Sequence, residues 1–346
     1  MNSAIQLYNG DLTLISKPLP KLVHPSDVVV KVSYCGVSKT DLRIIDGHLP
    51  SPRRLIQGHE ISGFVSEVGK SVKHLKIGDR VCVNPYNYCT LCHYCCHGQP
   101  QFCVNDGMKT ALGYMKDGGW QQYCIVSSKL CHLLPTAMPI KISVLCQPYS
   151  SILQGWDNIG KIEQDSKILV SGADLDGLLW LCLFHFRGHR NVTVTQVSEN
   201  QKSIISNLNL GFSICSMDSI LNESVKNAGN AVWGYDVIVD CTGNKKTIES
   251  QFKWLRKGAT FVLYGISNKS SEISIDASQI YQKGIKIVSS HLSRFSFTHT
   301  IHLVHNMSNR YLDFKSLNVG VYNLQDYEAA INSLRKGLIS KAVFEL

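Results

Sequence analysis

The pattern of apolar and polar positions divides the chain into two textures. Through the first 150 residues, short runs of β-branched and aromatic residues are punctuated by Gly, Pro and other turn formers. VVVKVSYC (28–35), ISGFVSEVG (61–69) and DRVCVNP (79–85) read as strands, the last stopped at Pro85, so this half is expected to be a β-rich domain with irregular loops. From about residue 165 strands alternate with helical stretches. KILVSG (167–172), NVTVTQ (191–196), YDVIVDCTG (235–243), ATFVLYGI (259–266) and IKIVSS (285–290) read as strands. Helices are expected after the first of these and around 199–209, and QFKWLRKG (251–258) reads as an amphipathic turn. Such alternation predicts an α/β fold whose parallel sheet is covered on both faces. In the tail, YEAAINSLRKG (327–337) places Tyr327, Ala330, Ile331 and Leu334 on one helical face, with Gly337 as a stop.

Length changes this picture only by favouring two domains, since 346 residues are many for one core. The most apolar run, LLWLCLFHF (178–186), is too short to cross a bilayer and carries His185. The start, MNSAIQLYNGDL, lacks the basic residues and apolar core of a secretory signal, so a cytoplasmic protein is expected. The net charge is +9, yet the densest basic clusters are pairs, Arg53-Arg54 and Lys245-Lys246. Scattered charge argues against a nucleic-acid or membrane partner.

The thirteen cysteines are the first chemical feature. Without a secretory context they suggest metal ligands or small buried apolar groups, not a disulfide framework. In NYCTLCHYCCHGQPQFCVN, Cys89, Cys92, Cys95 and Cys103 are spaced C-x2-C-x2-C-x7-C. Four close thiolates can enclose a tetrahedral zinc, and with every position filled by protein that zinc would be structural, one per chain. Cys96 is an alternative ligand, and His93 and His97 read as bystanders.

The second feature is ILVSGADLDGLLW (168–180), where a strand meets Gly172, a short turn, Gly177 and an apolar helix. Chains are written this way where they wrap the phosphates of a dinucleotide. Here Asp174 and Asp176 lie on the phosphate path. A carboxylate there crowds and repels a phosphate, and the helix N-terminus favours anions, so these aspartates are expected to take the place a phosphate would occupy.

Together with the cysteine spacing, YCGVSKTDLRI (34–44), GHEISGFVSEVG (58–69), KIGDRVCVNP (76–85), ALGYMKDGGWQQYCIV (111–126), YDVIVDCTGNKKTIE (235–249) and IYQKGIKIVSSHLSRFSF (280–297) carry a resemblance over nearly the whole length. The chain resembles the zinc-dependent medium-chain dehydrogenase/reductase family, and most of all its polyol (sorbitol-like) dehydrogenase branch. The resemblance implies a β-rich GroES-like catalytic domain at 1–152 and 291–346, and a doubly wound Rossmann domain with a parallel sheet at 153–290. It also implies zinc-assisted hydride transfer between a secondary alcohol or polyol and NAD(H) or NADP(H), and a homodimer or homotetramer.

The departures from the family motifs weigh as much as the matches. Where the family's CG-x-C-x-TD motif supplies a zinc thiolate this chain has Ser38, and where its L-x-EP segment supplies a carboxylate the chain has Gln147, within LCQP. The intact GHE makes His59 the matching imidazole ligand and Glu60 the neighbouring carboxylate. Neutral oxygens replacing two anions lower affinity for a divalent ion, so a catalytic zinc is expected to be weak or absent. Glu60, Cys35 or Cys146 could substitute as ligands. Thr40 matches the hydroxyl that relays the substrate proton, and Asp41 the carboxylate orienting the histidine; the same Thr-Asp pair could instead be a helix N-cap. For the cofactor, the resemblance implies Gly172, Gly177 and Thr242, with Gln196 where an acid normally receives the ribose hydroxyls. Two functions are expected of such a chain: a polyol or alcohol dehydrogenase with weakened or lost activity, or a non-catalytic scaffold retaining the zinc knot.

Overall fold

The computed structural model describes the whole chain except residues 231, 268–270 and 295. Phe295, inside the matched segment 280–297, lies outside the described residues. The chain divides into two compact units, Met1–Ser150 with Ser293–Leu346, and Ser151–Leu292.

The first unit is built about the strand Asp27–Val37. It pairs antiparallel with Ile61–Val68, Tyr123–Ser127 and the C-terminal strand Lys341–Glu345. Val28, Val29, Val30 and Val32 are all buried and only Lys31 is exposed, so both faces of the strand are largely covered. Arg80–Val83 and Cys131–Leu133 extend the sheet on one side, and Val319–Asn323 joins Lys341–Glu345 in parallel on the other. A separate three-stranded sheet orders Asp11–Lys17, Asn2–Tyr8 and Arg54–Ile56. In the C-terminal pairing Ala342 lies opposite Val37 and Phe344 opposite Cys35, while the Phe344 ring meets Trp120 edge-on at 5.4 Å.

The second unit holds six parallel strands in the spatial order Ser213–Ile214, Val192–Thr195, Ile168–Ser171, Tyr235–Asp240, Leu255–Leu263, Lys286–Ser289. The strand that comes first in sequence lies in the middle, so the chain departs from it in opposite directions and leaves a crevice at the carboxyl ends. Strands covered on both faces lose their alternation, and all four residues of Ile168–Ser171 are buried. The helix Leu175–Phe186 buries Leu178 through Phe184 completely, which is why it is apolar all round. Among the described residues no helix is long and apolar enough to cross a membrane.

One sequence expectation is corrected here. QFKWLRKG is not a single amphipathic turn: Gln251 and Phe252 close the helix Lys245–Phe252, and Leu255 opens the strand Leu255–Leu263. Its buried residues Phe252, Trp254 and Leu255 serve two elements in succession, so no one period runs through them.

Candidate functional site

The loop after Tyr88 winds through Thr90, a non-glycine residue at φ 60°, into the short helical turn His93–Cys96 and returns at Cys103. This path brings one ligand atom each from Cys89, Cys92, Cys95 and Cys103 within 4.8 Å of one another. Backbone amides point at the sulfurs, Cys92 N–H to Cys89 Sγ at 3.3 Å and Asp106 N–H to Cys103 Sγ at 3.3 Å. Amide donors, the Leu91 backbone foremost, lower the Cys89 thiol to about 6, and backbone donors led by Cys95 lower Cys92 as well. Burial first, then hydrogen bonds shared with its neighbours, pushes Cys95 up to about 12. A tight set of four soft donors, two of them disposed to ionise, fits a tetrahedral zinc with no open position. Cys96 stands apart from the set: its exposed Sγ faces the carbonyls of Thr90 and Leu91 at 3.7 and 3.5 Å.

In the same unit, the central strand ends at Val37 and Ser38 starts the helix Lys39–Ile45. Ser38 Oγ accepts from Asp41 N–H at 3.1 Å, and Asp41 Oδ2 accepts from Ser38 N–H at 2.7 Å, a reciprocal capping box. Ser38 Oγ also lies 2.8 Å from Asp41 Oδ2. The N-cap is therefore Ser38 and not the Thr40-Asp41 pair, because the short polar side chain three residues before Asp41 reaches its amide; Thr40 falls at the second helical position.

Asp41 Oδ1 faces His59 Nδ1 at 3.5 Å, with both side chains buried. For Asp41, burial opposes ionisation, but the His59 charge and hydrogen bonds from His59 and Ser38 prevail and hold its carboxyl below the usual value. For His59, burial acts to lower the pKa, and Asp41 and Glu60 overcome it so that the ring holds its proton more tightly than usual.

Glu60 turns the other way. Its Oε2 lies 2.5 Å from the ammonium of Lys341, delivered by the C-terminal strand. Gly36 makes room for this: a Cβ there would stand 1.7 Å from Glu60 Oε2. Gln147, buried, donates from Nε2 to Tyr86 Oη at 3.4 Å. Cys35 Sγ lies 3.8 Å from the Gly36 carbonyl, and burial raises the thiols of both Cys35 and Cys146 well above their ordinary value. Ser38 is thus committed to a cap, Glu60 to Lys341 and Gln147 to Tyr86. Among the described residues the only group of three or more His, Cys, Asp or Glu donors that converges is the cysteine set. The residues around His59 do not fit a tightly held zinc.

The second unit carries a cleft of about 300 Å³ at the carboxyl ends of its middle strands, lined by Gly172, Ala173, Asp174, Gln196, Gln201, Cys241, Thr242, Asn244 and Thr247. Gly177 is required by close packing, since a Cβ would stand 2.0 Å from the Gly172 carbonyl oxygen. Gln196 lines the cleft at φ 57°, and Thr242 Oγ1 donates to Asp240 Oδ1 at 2.6 Å. Asp174 occupies the N-cap position of Leu175–Phe186, but its side chain makes no capping bond. Its Oδ1 accepts from Gln201 Nε2 at 2.8 Å, and Gln201 Oε1 accepts from Ser198 N–H at 2.8 Å in a second capping box. The heads of the helices that follow two neighbouring strands are thereby tied together across the cleft. Asp174 thus stands at the head of its helix in the lining of the cleft, with its carboxylate bonded to Gln201. Asp176 lies within the first helical turn.

Sequence reasoning missed Lys341, Tyr86, Gln201 and Asn244. Only Gln201 left a local trace, the S-x-x-Q spacing from Ser198.

This architecture, a β-rich unit and a Rossmann-ordered unit, recurs among known proteins. Residues 24–136 match the family model "Alcohol dehydrogenase GroES-like domain", and residues 177–308 match "Zinc-binding dehydrogenase". The chain belongs to the zinc-dependent medium-chain dehydrogenase/reductase family, on its polyol branch. It is 25% identical to D-arabinitol dehydrogenase 1 of Uromyces fabae over 94% of this chain and 91% of that one. It is 24% identical to a sorbitol dehydrogenase of Halalkalibacterium halodurans over 95% and 94% respectively. An alcohol dehydrogenase from E. coli CFT073, complexed with NADH, shares the fold with a TM-score of 0.87 at 23% identity, covering 100% of this chain and 99% of that one.

Proposed function

We propose that this protein is a polyol or alcohol dehydrogenase of weakened activity, which keeps a structural zinc in the Cys89, Cys92, Cys95 and Cys103 cage and holds no tight zinc at His59. The observation that carries this reading is the Glu60–Lys341 pair: the one carboxylate adjoining His59 in the GHE motif is neutralised by a buried cation, while positions 38 and 147 carry no charge to offer. The chemistry would be hydride transfer between a secondary alcohol and NAD(H) or NADP(H), the cofactor supplying the hydride acceptor. Within the chain, Asp41 orients His59, and the Thr40 hydroxyl stands at the head of the same helix as a route for the substrate proton. Gly172, Thr242 and Gln196 would receive the nucleotide in the cleft, with the Gln196 amide facing the ribose hydroxyls. Asp174, tied to Gln201 beside them, opposes the pyrophosphate and makes this binding weak. A cytoplasmic homodimer or homotetramer accords with the family.

A second reading, a non-catalytic scaffold, is favoured by the same Asp174–Gln201 tie. Elemental analysis beside NADH and NADPH titration separates the two. One zinc per chain, thermal stabilisation by a reduced cofactor and slow turnover of a polyol support the dehydrogenase. No stabilisation at millimolar cofactor supports the scaffold. Two tightly held metals with rapid turnover would overturn the assignment at His59.

A further inference from the structure

We propose that His93 and His97 form a second metal site, separate from the cysteine cage, that takes one late divalent transition-metal ion such as Ni(II). The two residues stand four apart on the turn that carries Cys92 and Cys95, and both are exposed. The His97 amide donates to the His93 carbonyl at 3.2 Å, so the i to i+4 geometry of a helix holds between them and both side chains rise from one face. Their ring centroids are 4.3 Å apart with the planes inclined by 36°.

The hydrogen bonding prepares one ligand. His97 Nδ1 lies 2.7 Å from the His93 carbonyl oxygen. A carbonyl oxygen only accepts, so in this bond Nδ1 carries the hydrogen and the neutral ring leaves the Nε2 lone pair for a metal. Backbone carbonyls fix ligating imidazoles in this way in metal centres generally. Two imidazoles whose centroids lie 4.3 Å apart can bind one ion once the rings turn their Nε2 atoms toward it, with water completing the shell. Imidazole pairs suit late first-row ions. The turn beneath is anchored through Cys92 and Cys95 to the cage, which gives the pair a fixed base. Cys96 does not complete the site, since its sulfur faces the carbonyls of Thr90 and Leu91.

The test uses the full chain with its cage loaded with zinc, titrated with NiCl₂ by calorimetry, with zinc and nickel counted after dialysis. One nickel per chain is expected in addition to the retained zinc. Both His93→Ala and His97→Ala should weaken nickel binding by at least about tenfold, with zinc content and thermal midpoint unchanged because both side chains are exposed. Cys96→Ser, and a variant lacking His299 and His302 as a control for other surface histidines, should bind nickel as the parent does. Nickel uptake that survives the paired His93→Ala, His97→Ala change would overturn the proposal. So would uptake that occurs only as zinc leaves the cage, or that is lost in Cys96→Ser.

Discussion

The ammonium of Lys341 and the carboxylate of Glu60 meet at 2.5 Å, with 3% and 2% of their side-chain surfaces exposed. Each has left water only because the other is there. Removing one partner strands the other charge, whereas removing both does not. Lys341→Met is expected to cost about 3–5 kcal/mol, and adding Glu60→Gln should recover most of that loss. Urea unfolding of the two single variants and the pair reads the coupling. A Lys341→Met loss below about 1 kcal/mol, the scale of a solvent-exposed pair, would show that the contact does not persist in solution.

The uncharged residues at 38 and 147 lead to a gain-of-metal experiment. Combining Ser38→Cys with Gln147→Glu restores anionic donors at the two positions where the family motifs carry them and is expected to raise tightly bound zinc from one to two per chain. The capping bond from Ser38 is lost in this variant, at a cost of about 1 kcal/mol. Metal content after exhaustive dialysis is the readout, and a parent protein that already retains two would refute the premise.

Asp174 reaches across the cleft to Gln201. Asp174→Gly removes both a negative charge and the bulk beside Gly172, and should tighten NADH binding by about tenfold or more. Protein-to-NADH fluorescence transfer measures this. Unchanged affinity would mean that the tie opens freely when cofactor arrives.

His132 gives the protein a pH dependence of predictable sign. Burial chiefly, and the charge of His74 secondarily, lower it from an ordinary 6.5 to about 4. Between these values the unfolded chain takes up a proton that the folded chain refuses. Stability should therefore be unaffected by this group above about pH 6.5 and fall as the pH drops from there toward 4. His132→Asn, which does not titrate, should flatten that part of a thermal-midpoint profile. A profile identical to the parent's would assign the acid loss to other groups.

What the sequence alone determined was whatever rests on short-range spacing. Strands such as Asp27–Val37 and Ile168–Ser171, the helix Tyr327–Arg335 and the candidate cysteine cage are legible because their apolar runs, helical spacing, breakers and ligands lie within a few residues of one another. The residue exchanges at 38, 147 and 174 were legible for the same reason, against the family motifs around them. Only the tertiary structure decided where the displaced charges went. Glu60 reaches Lys341 because the last strand returns to lie antiparallel to Asp27–Val37, a register that no local window contains. Asp174 meets Gln201 because parallel order sets the ends of two neighbouring strands side by side. Propensity acts over one turn or one strand, whereas the pairing of a buried charge is settled by which distant segment is packed against it.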